Sequence, residues 1–383
     1  MKVLLTDGNF KHTLAAVRSL GREGADISVM SHIRPSISFL SRYCRERITG
    51  PDPEHDPGFA SFVRDLTART HYDVLLPISL AAVTQISRIR DDLAPHVRVP
   101  LAPPASIDIA ANKDRTIQFA GSLGVPVPGT FYPEGEDDVV DIGRTITYPA
   151  VVKGSRSSAY VRYANTPDEL LRYYRRFRED SPVIQEYVRG RGYGFFALYN
   201  HGEARAIFMH RRLREYPVTG GPSSLAESIY DEELRSLGSG LLDALNWHGV
   251  AMVEFKKDEE TGKFVLMELN PKFWGSLELA IVSGVDFPRL ACRMAMEGEI
   301  DPVFSYRTGV KFRWLLPLDL FHAITNPRSI PRFLADFADL SIHSDLDIRD
   351  PLPNLMQVGM TLAEAGIRLK ERRFWRPHGS PRL

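Results

Sequence analysis

Two glutamates and one asparagine form the most specific group of chemistry-bearing side chains in the sequence. Glu254 and Glu268 each lie in an apolar run of strand length, and a turn near Thr261 separates the two runs. If the hairpin is symmetric about Thr261, Glu254 lies directly opposite Glu268, with the side chains about 5 Å apart. Asn270 is two residues further on, so it lies on the same face. Because such oxygen ligands suit Mg²⁺ bridged to phosphates, we predict Glu254, Glu268 and Asn270 as metal ligands.

The alternative interpretation of this segment is an exposed hairpin with a polar face. However, Glu268 and Asn270 interrupt a strongly apolar strand and are followed by Pro-Lys-Phe-Trp-Gly-Ser. Two facing carboxylates would also repel each other without a cation between them. These features favour the metal site.

The sequence around these ligands resembles the ATP-grasp superfamily. The pattern Glu…Glu-Leu-Asn-Pro-Lys-x-x-Gly-Ser looks like the metal-binding end of that superfamily. Upstream segments match in the right order: Lys113 opens a helix, Lys153 closes an apolar strand, and residues 185–188 resemble the hinge strand that borders the adenine. Each motif alone is weak, but together they span residues 1 to about 300 at plausible spacing. The pattern is similar to carboxylate–amine ligases and related to carbamoyl-phosphate synthase large-subunit-like proteins.

The resemblance implies a role for each matched residue. Lys113 and Lys153 would neutralise the phosphates of ATP as point charges. Glu254 and its two partner ligands would hold Mg²⁺, with Mn²⁺ as a second metal that fits. Lys272 takes the place of an arginine that commonly follows Asn-Pro, and it would stabilise the transferring phosphoryl group. The adenine edge would be read by the side chain of Gln185 and the backbone of Glu186, Tyr187 and Val188.

A basic segment, residues 210–222, leads into a Gly-Gly loop. We predict that Arg211 and Arg214 bind a substrate carboxylate or the acyl phosphate made from it, with the loop as a movable cover. A solvated basic strand followed by a mobile loop is the alternative.

Two segments depart from the superfamily pattern. Residues 154–159 follow Lys153, where the superfamily often has several glycines, and here Arg156 adds charge. A ribose-binding glutamate is common after the hinge, but it is not evident in residues 190–194.

The elements that position these residues indicate an α/β and α+β multidomain protein. Residues 1–110 alternate short apolar runs with helical patterns, which predicts a parallel sheet with helices on its faces. The resemblance implies that this is the N-terminal domain that precedes an ATP-grasp domain. We assign residues 111–300 to the ATP-grasp domain. Its smaller, lid-bearing part is residues 111–190, and a central antiparallel sheet with the metal site is residues 191–300. Residues 301–383 form a C-terminal extension of unassigned role.

Composition excludes several classes of protein. The 383 residues carry 48 basic and 48 acidic side chains, which gives no basic excess for nucleic-acid binding. Cys44 and Cys292 are the only cysteines, which fits a reducing, cytoplasmic environment. No run approaches the roughly 18 apolar residues of a membrane span. The expected partners are small-molecule carboxylate and amine substrates, and a homodimer is compatible with the sequence.

The resemblance implies an enzyme, an ATP-dependent carboxylate–amine (C–N) ligase that works through an acyl phosphate and releases ADP and phosphate. Two alternatives remain open: an ATP-grasp kinase that phosphorylates a small molecule, and a non-catalytic ATP-binding module.

Overall fold

The N-terminal layer is a parallel sheet with helices on its faces. The computed structural model of the chain describes residues 1–154, 161–218 and 220–370. The elements of this layer are β1 (Lys2–Leu5), α1 (Lys11–Arg22), β2 (Asp26–Ser31), β3 (Cys44–Thr49), α2 (Phe59–Arg69), β4 (Val74–Leu76), α3 (Leu80–Arg88), α4 (Arg90–Leu93) and α5 (Pro104–Ala111). The strands lie in the order β3-β2-β1-β4, all parallel. The predicted parallel sheet is confirmed. Strand β3 was not predicted, because its sequence is rich in charged residues.

Side chains at the carboxyl end of β1 tie two loops of this sheet together. Thr6 Oγ1 accepts a hydrogen bond from the backbone N–H of Ile78 at 3.0 Å. Asp7 Oδ2 accepts one from the backbone N–H of Ser79, also at 3.0 Å. The loops after β1 and β4 therefore form one unit at the sheet edge, where ligands of such sheets bind.

A smaller antiparallel sheet follows along the chain. Its elements, with the helix that precedes it, are α6 (Lys113–Ser122), β5 (Thr130–Phe131), α7 (Glu136–Thr145), β6 (Ala150–Lys153), β7 (Val161–Ala164), α8 (Pro167–Phe177) and β8 (Val183–Glu186). The strand order is β5-β8-β6-β7. Val139, Val152, Leu170 and Ile184 belong to a core cluster of this unit. This unit therefore packs around its own core and carries Lys153 at the end of β6.

A larger sheet forms the centre of the molecule. Its elements are β9 (Gly190–Asn200), β10 (Glu203–Glu215), β11 (Ser223–Ile229), α9 (Glu232–Ala244), β12 (Gly249–Asp258), β13 (Phe264–Asn270), α10 (Leu277–Ser283), α11 (Phe287–Glu297), β14 (Lys311–Arg313), α12 (Leu320–Thr325), α13 (Ile330–Ala335), β15 (Ile342–Ser344) and α14 (Pro351–Lys370). The strand order is β13-β12-β9-β10-β11-β14-β15, antiparallel except for the β14–β15 pair. The hairpin predicted around Thr261, β12–β13, is present, and β9 and β10 form a second hairpin.

The central sheet shares its core with the N-terminal layer. Phe196 packs in one cluster with Val3, and Phe195 packs in the other with Leu4. Successive residues of β9 thus point to opposite, buried faces, as period-two alternation requires. No helix among the described residues is long and apolar enough to cross a membrane.

The central sheet continues past residue 300. Strands β14 and β15, at residues 311–313 and 342–344, extend its far edge. The predicted C-terminal extension therefore contributes to this sheet, and the domain boundary at residue 300 stays a prediction.

Candidate functional site

The predicted carboxylate pair is formed by the β12–β13 hairpin. Glu254 lies opposite Glu268, and the register shifts by one residue immediately beside this pair. The turn is closed by a bond from Asp258 N–H to the carbonyl of Lys263 at 2.9 Å. Without the shift, Glu254 would face Met267, so a β-bulge brings the two carboxylates together. The Nδ2 of Asn270 donates to Glu268 Oε1 at 2.7 Å, which fixes the third predicted ligand on the same face.

Three lysines from three different segments interact electrostatically with the Glu268 carboxylate. Lys113 begins α6, Lys153 ends β6, and Lys272 follows β13. Burial by itself would raise the pKa of the Glu268 carboxyl, but the charges of the lysines, with the Asn270 hydrogen bond, hold that pKa below its usual value. The structure thus brings both predicted phosphate lysines to the predicted metal ligands.

Burial lowers the pKa values of two of these lysines, and neighbouring positive charge adds to the effect at one of them. Burial, followed by the charge of Lys113, lowers the pKa of the Lys153 ammonium to about 8. Burial also lowers the pKa of Lys272, and the nearby carboxylate of Glu268 opposes that effect. A bound anion would favour the charged form of each lysine. The site is therefore electrostatically prepared for a polyanion.

Arg212 is a site residue that the sequence interpretation missed. Its Nη2 lies 2.6 Å from Glu254 Oε2, and its Nη1 lies 3.6 Å from a carboxylate oxygen of Glu215. To reach Glu254 from β10, the arginine crosses β9, where Gly192 leaves room. A Cβ on Gly192 would lie 2.7 Å from Arg212 Cδ. The glycines at positions 192 and 194, two residues apart on a strand, were the available signal for a side chain lying across β9.

Arg214 and Arg211 are placed differently from the prediction. Arg214 is buried, and it donates to both carboxylate oxygens of Asp319, at 2.8 and 2.9 Å. Arg211 donates to Glu227 at 2.8 Å. Register shifts between β10 and β11 occur on both sides of Arg214, and they re-aim the side chains of this segment. In this structure Arg214 lies in a buried ion pair, Arg211 pairs with Glu227, and Arg212 faces the carboxylate pair. The substrate roles predicted for Arg211 and Arg214 stay predictions.

The hinge segment is already partly hydrogen bonded within the protein. The Nε2 of Gln185 donates to Thr130 Oγ1 at 2.9 Å, and the backbone N–H of Glu186 donates to the carbonyl of Gly129 at 2.9 Å. The carbonyl of Val188 accepts from Lys256 at 3.1 Å. Lys256 also lies 4.9 Å from the ring centroid of Tyr187. Adenine binding by residues 185–188 stays a prediction. The backbone N–H of Glu186 is not available to adenine, because it already donates to Gly129.

The loop after β1 extends this site toward the N-terminal layer. The carboxylate of Asp7, with those of Glu268 and Glu254, opposes the lowering of the Lys272 pKa by burial. Burial, with a contribution from Lys272, lowers the pKa of His12 to about 3, so this imidazole is neutral at physiological pH. Phe10 stacks on His12 with ring centroids 5.2 Å apart. The charge of Lys272 therefore interacts both with the carboxylate pair and with the loop after β1.

The donor set fits a hard divalent cation. Glu254, Glu268 and Asn270 offer carboxylate and amide oxygens, the ligands that Mg²⁺ prefers together with phosphate oxygens. Among the described residues no group of three or more His, Cys, Asp or Glu side chains forms a self-sufficient metal site. A cation here would need further oxygens from a bound phosphate, which is typical of magnesium–nucleotide sites. Residues 155–160, which include Arg156, and Thr219 of the basic segment lie outside the described residues.

Comparison with known proteins identifies the fold. Residues 179–316 match the family described as ATP-grasp in the biosynthetic pathway with Ter operon. The chain superimposes on N5-carboxyaminoimidazole synthetase from Staphylococcus aureus, in a complex with ADP, with a TM-score of 0.68. That alignment covers 86% of each chain at 13% identity. This chain has the ATP-grasp fold. The predicted resemblance and the predicted fold class are thus confirmed.

Two further proteins are similar to this chain. The N-terminal section of the carbamoyl phosphate synthase large chain from Methanopyrus kandleri is 26% identical over 234 residues. That match covers 57% of this chain and 42% of the relative, so the chain spans less than half of the relative's length. The L-amino acid ligase from Bacillus licheniformis aligns with a TM-score of 0.62 at 18% identity, covering 79% of this chain and 77% of the ligase.

The different positions of Arg212 and Arg214 lead to a paired prediction. We expect Arg212→Ala to lower turnover by at least about tenfold, because it removes the cation that compensates Glu254. Arg214→Ala should instead lower the melting temperature by several degrees, because it removes one of the two arginines that pair with buried Asp319 and leaves only Arg313 among the described residues. Thermal unfolding and steady-state turnover of both variants distinguish the two effects. Equal loss of turnover in two variants that keep wild-type melting temperatures would contradict the assignment.

Proposed function

We propose that this ATP-grasp protein uses MgATP to join a carboxylate to an amine, with release of ADP and phosphate. The observation that carries the proposal is the convergence of Lys113, Lys153 and Lys272 on the Glu268 carboxylate. Such a cluster suits a triphosphate held beside a divalent cation. Similarity to an L-amino acid ligase and to carbamoyl phosphate synthase supports ligation as the reaction class.

The carboxylate pair would hold Mg²⁺ against the phosphates. Burial raises the pKa of Glu254, and the adjacent Arg212 opposes that rise. Arg212 thus lets Glu254 remain available as an anionic ligand within a buried site. Its Nε has no hydrogen-bond partner among the described residues, so a donor remains that a substrate oxygen would satisfy.

The lysines would position and neutralise the transferring phosphoryl group. MgATP supplies that group when it is bound. Lys153 lies on β6 of the smaller sheet, whereas α6, which begins with Lys113, packs through Ala120 in the core of the central sheet and N-terminal layer. The nucleotide would therefore be held between separate structural units. Positioning and charge stabilisation of this kind account for most catalysis of phosphoryl transfer.

Lys272 and the loop after β1 would act in the second half of the reaction. A carboxylate oxygen attacks the γ-phosphorus, ADP leaves, and an acyl phosphate forms. The amine nitrogen then attacks the acyl carbon, and phosphate departs with the original carboxylate oxygen and the amine proton. Lys272 lies between Glu268 and Asp7, a location suited to stabilising the acyl phosphate while a water-poor site protects it from hydrolysis.

Isotope transfer tests the proposed reaction. A panel of carboxylates and amines is screened for ADP, phosphate and adduct mass together, and the active carboxylate is then labelled with ¹⁸O. We expect phosphate release to depend on the amine and the label to appear in phosphate. ADP formation with a stable phosphorylated product and no amine requirement would identify a kinase instead. Adduct formation without label in phosphate would exclude the acyl-phosphate route.

A further inference from the structure

The outward face of α14 is apolar along its whole length. Six of the exposed positions follow the three- and four-residue spacing of a heptad seam. Val358, Met360 and Ile367 are further exposed apolar residues of the helix. We name this face the α14 seam, and it consists of Leu352, Leu355, Gly359, Leu362, Gly366 and Leu369. Its four leucines are 55–68% exposed, and open space surrounds the position of a Cβ at either glycine. Contiguous exposed apolar surface of this kind marks an interaction site.

The opposite face of α14 is anchored to the protein. Pro353, Gln357 and Thr361 are buried there. At the start of the helix, the guanidinium of buried Arg18 donates to Asp350 at 2.9 Å and to Asn354 at 3.0 Å. These contacts fix the rotation of the helix about its axis. The seam is therefore presented rigidly to the outside.

The charges of α14 face away from the seam. Glu364 and Arg368 pair with each other, and the Arg368 guanidinium lies 5.4 Å from the ring centroid of Tyr216. Lys370, at the end of the helix, is the first charged residue on the outward side within the described part of the chain. A surface helix normally has the reverse arrangement, with its apolar stripe inward. The seam thus has the composition of a buried helix–helix contact.

We propose that the α14 seam packs antiparallel against the α14 seam of a second copy of this chain. The order of large and small residues is self-complementary when it is reversed. Centred between residues 360 and 361, an antiparallel pair places Leu355 opposite Gly366 and Gly359 opposite Leu362. Leu352 then faces Leu369 at both ends. Each glycine opens a gap that a leucine of the other copy fills, which is the interdigitation that well-packed interfaces require.

Two other arrangements fit the seam less well. A parallel pair would place glycine opposite glycine and leucine opposite leucine, so that gaps alternate with crowded layers. A helix that lies in a membrane surface carries lysine and arginine on its polar flanks. The only basic residues of α14, Arg368 and Lys370, are in its last turn, and Arg368 is turned inward. A second copy therefore fits the seam better than a lipid surface.

The first test compares two charge substitutions in the full chain by sedimentation equilibrium. Leu362→Glu places a charge at the centre of the seam, and we expect it to weaken the dimer by at least about tenfold. Met360→Glu is the matched control, because Met360 is also exposed but lies outside the seam. It should leave the dimer within about twofold. A wild-type chain that stays monomeric at about 100 μM would overturn the proposal, as would equal effects of the two variants.

The second test separates specific packing from general hydrophobicity. Gly359→Leu should weaken the dimer, because the added side chain collides with Leu362 of the second copy, although the variant is more apolar. The double variant Gly359→Leu/Leu362→Gly exchanges the two partners and should restore association. If Gly359→Leu strengthens association, or if the wild type is monomeric and sediments with anionic phospholipid vesicles, antiparallel self-pairing is wrong. Melting temperatures close to wild type confirm that each variant is folded.

Discussion

Glu268→Gln is expected to weaken magnesium-dependent ATP binding by about tenfold or more, the range found when metal-site interactions are lost. The glutamine keeps the size of the side chain and its contact with Asn270 but removes the charge. In the wild-type protein, nearby lysines hold the pKa of this carboxyl low despite its burial, so Glu268 is ionised at neutral pH. The variant should therefore lose a metal ligand without losing the fold.

The same substitution should not weaken ATP binding measured without magnesium. Removing the negative charge leaves Lys113, Lys153 and Lys272 less compensated, which favours a metal-free triphosphate. Calorimetric titrations with magnesium and with a chelator give the ratio of the two affinities, and this ratio should fall in Glu268→Gln. Glu299→Gln is the control, since that carboxylate is exposed and pairs with Arg205. A wild-type protein with no magnesium dependence would remove the basis of the metal-site assignment.

Lys272→Met should lower turnover by about two orders of magnitude, the loss seen when one stabilising donor is removed from a developing anion. The affinity for MgATP should change only a few-fold, because Lys113 and Lys153 still face the phosphates. Lys272→Arg restores the charge on a bulkier, planar group, so we expect partial recovery.

The control for Lys272 is Lys263→Met, which changes an exposed lysine in the turn of the same hairpin. Steady-state kinetics with the active carboxylate and amine give kcat, and titration gives the ATP affinity. If Lys272→Met lowers kcat and the ATP affinity by the same factor, Lys272 acts in nucleotide binding and does not stabilise the transferring phosphoryl group.

The sequence alone was sufficient for the carboxylate pair, although the geometry it assumed was simpler than the real one. A hairpin symmetric about Thr261 predicted that Glu254 faces Glu268, and this pairing is confirmed. The turn itself is shifted, and a bulge beside Glu254 compensates for the shift. Local periodicity fixes which face a residue occupies. It cannot report a bulge, because the extra residue depends on how the two strands pack.

The parallel sheet of the N-terminal layer was also predictable from local pattern. Its buried strands are short apolar runs, and these stand out between amphipathic helices. Strand β3 was missed because its alternating charged residues do not form such a run. The two strands beyond residue 300 were missed because each is only three residues long. Their place in the sheet depends on a neighbouring strand far away in the sequence.

The choice among Arg211, Arg212 and Arg214 of β10 was decided by tertiary structure alone. All three lie within four residues, so composition and spacing treat them alike. Arg212 reaches Glu254 because Gly192 leaves space on the intervening strand. Arg214 is turned toward Asp319 by register shifts against β11. The sequence therefore determined which types of residue the site would use. Long-range packing decided which individual residue of each type lies in the site, because the partner of a side chain is set by residues that are distant in the sequence.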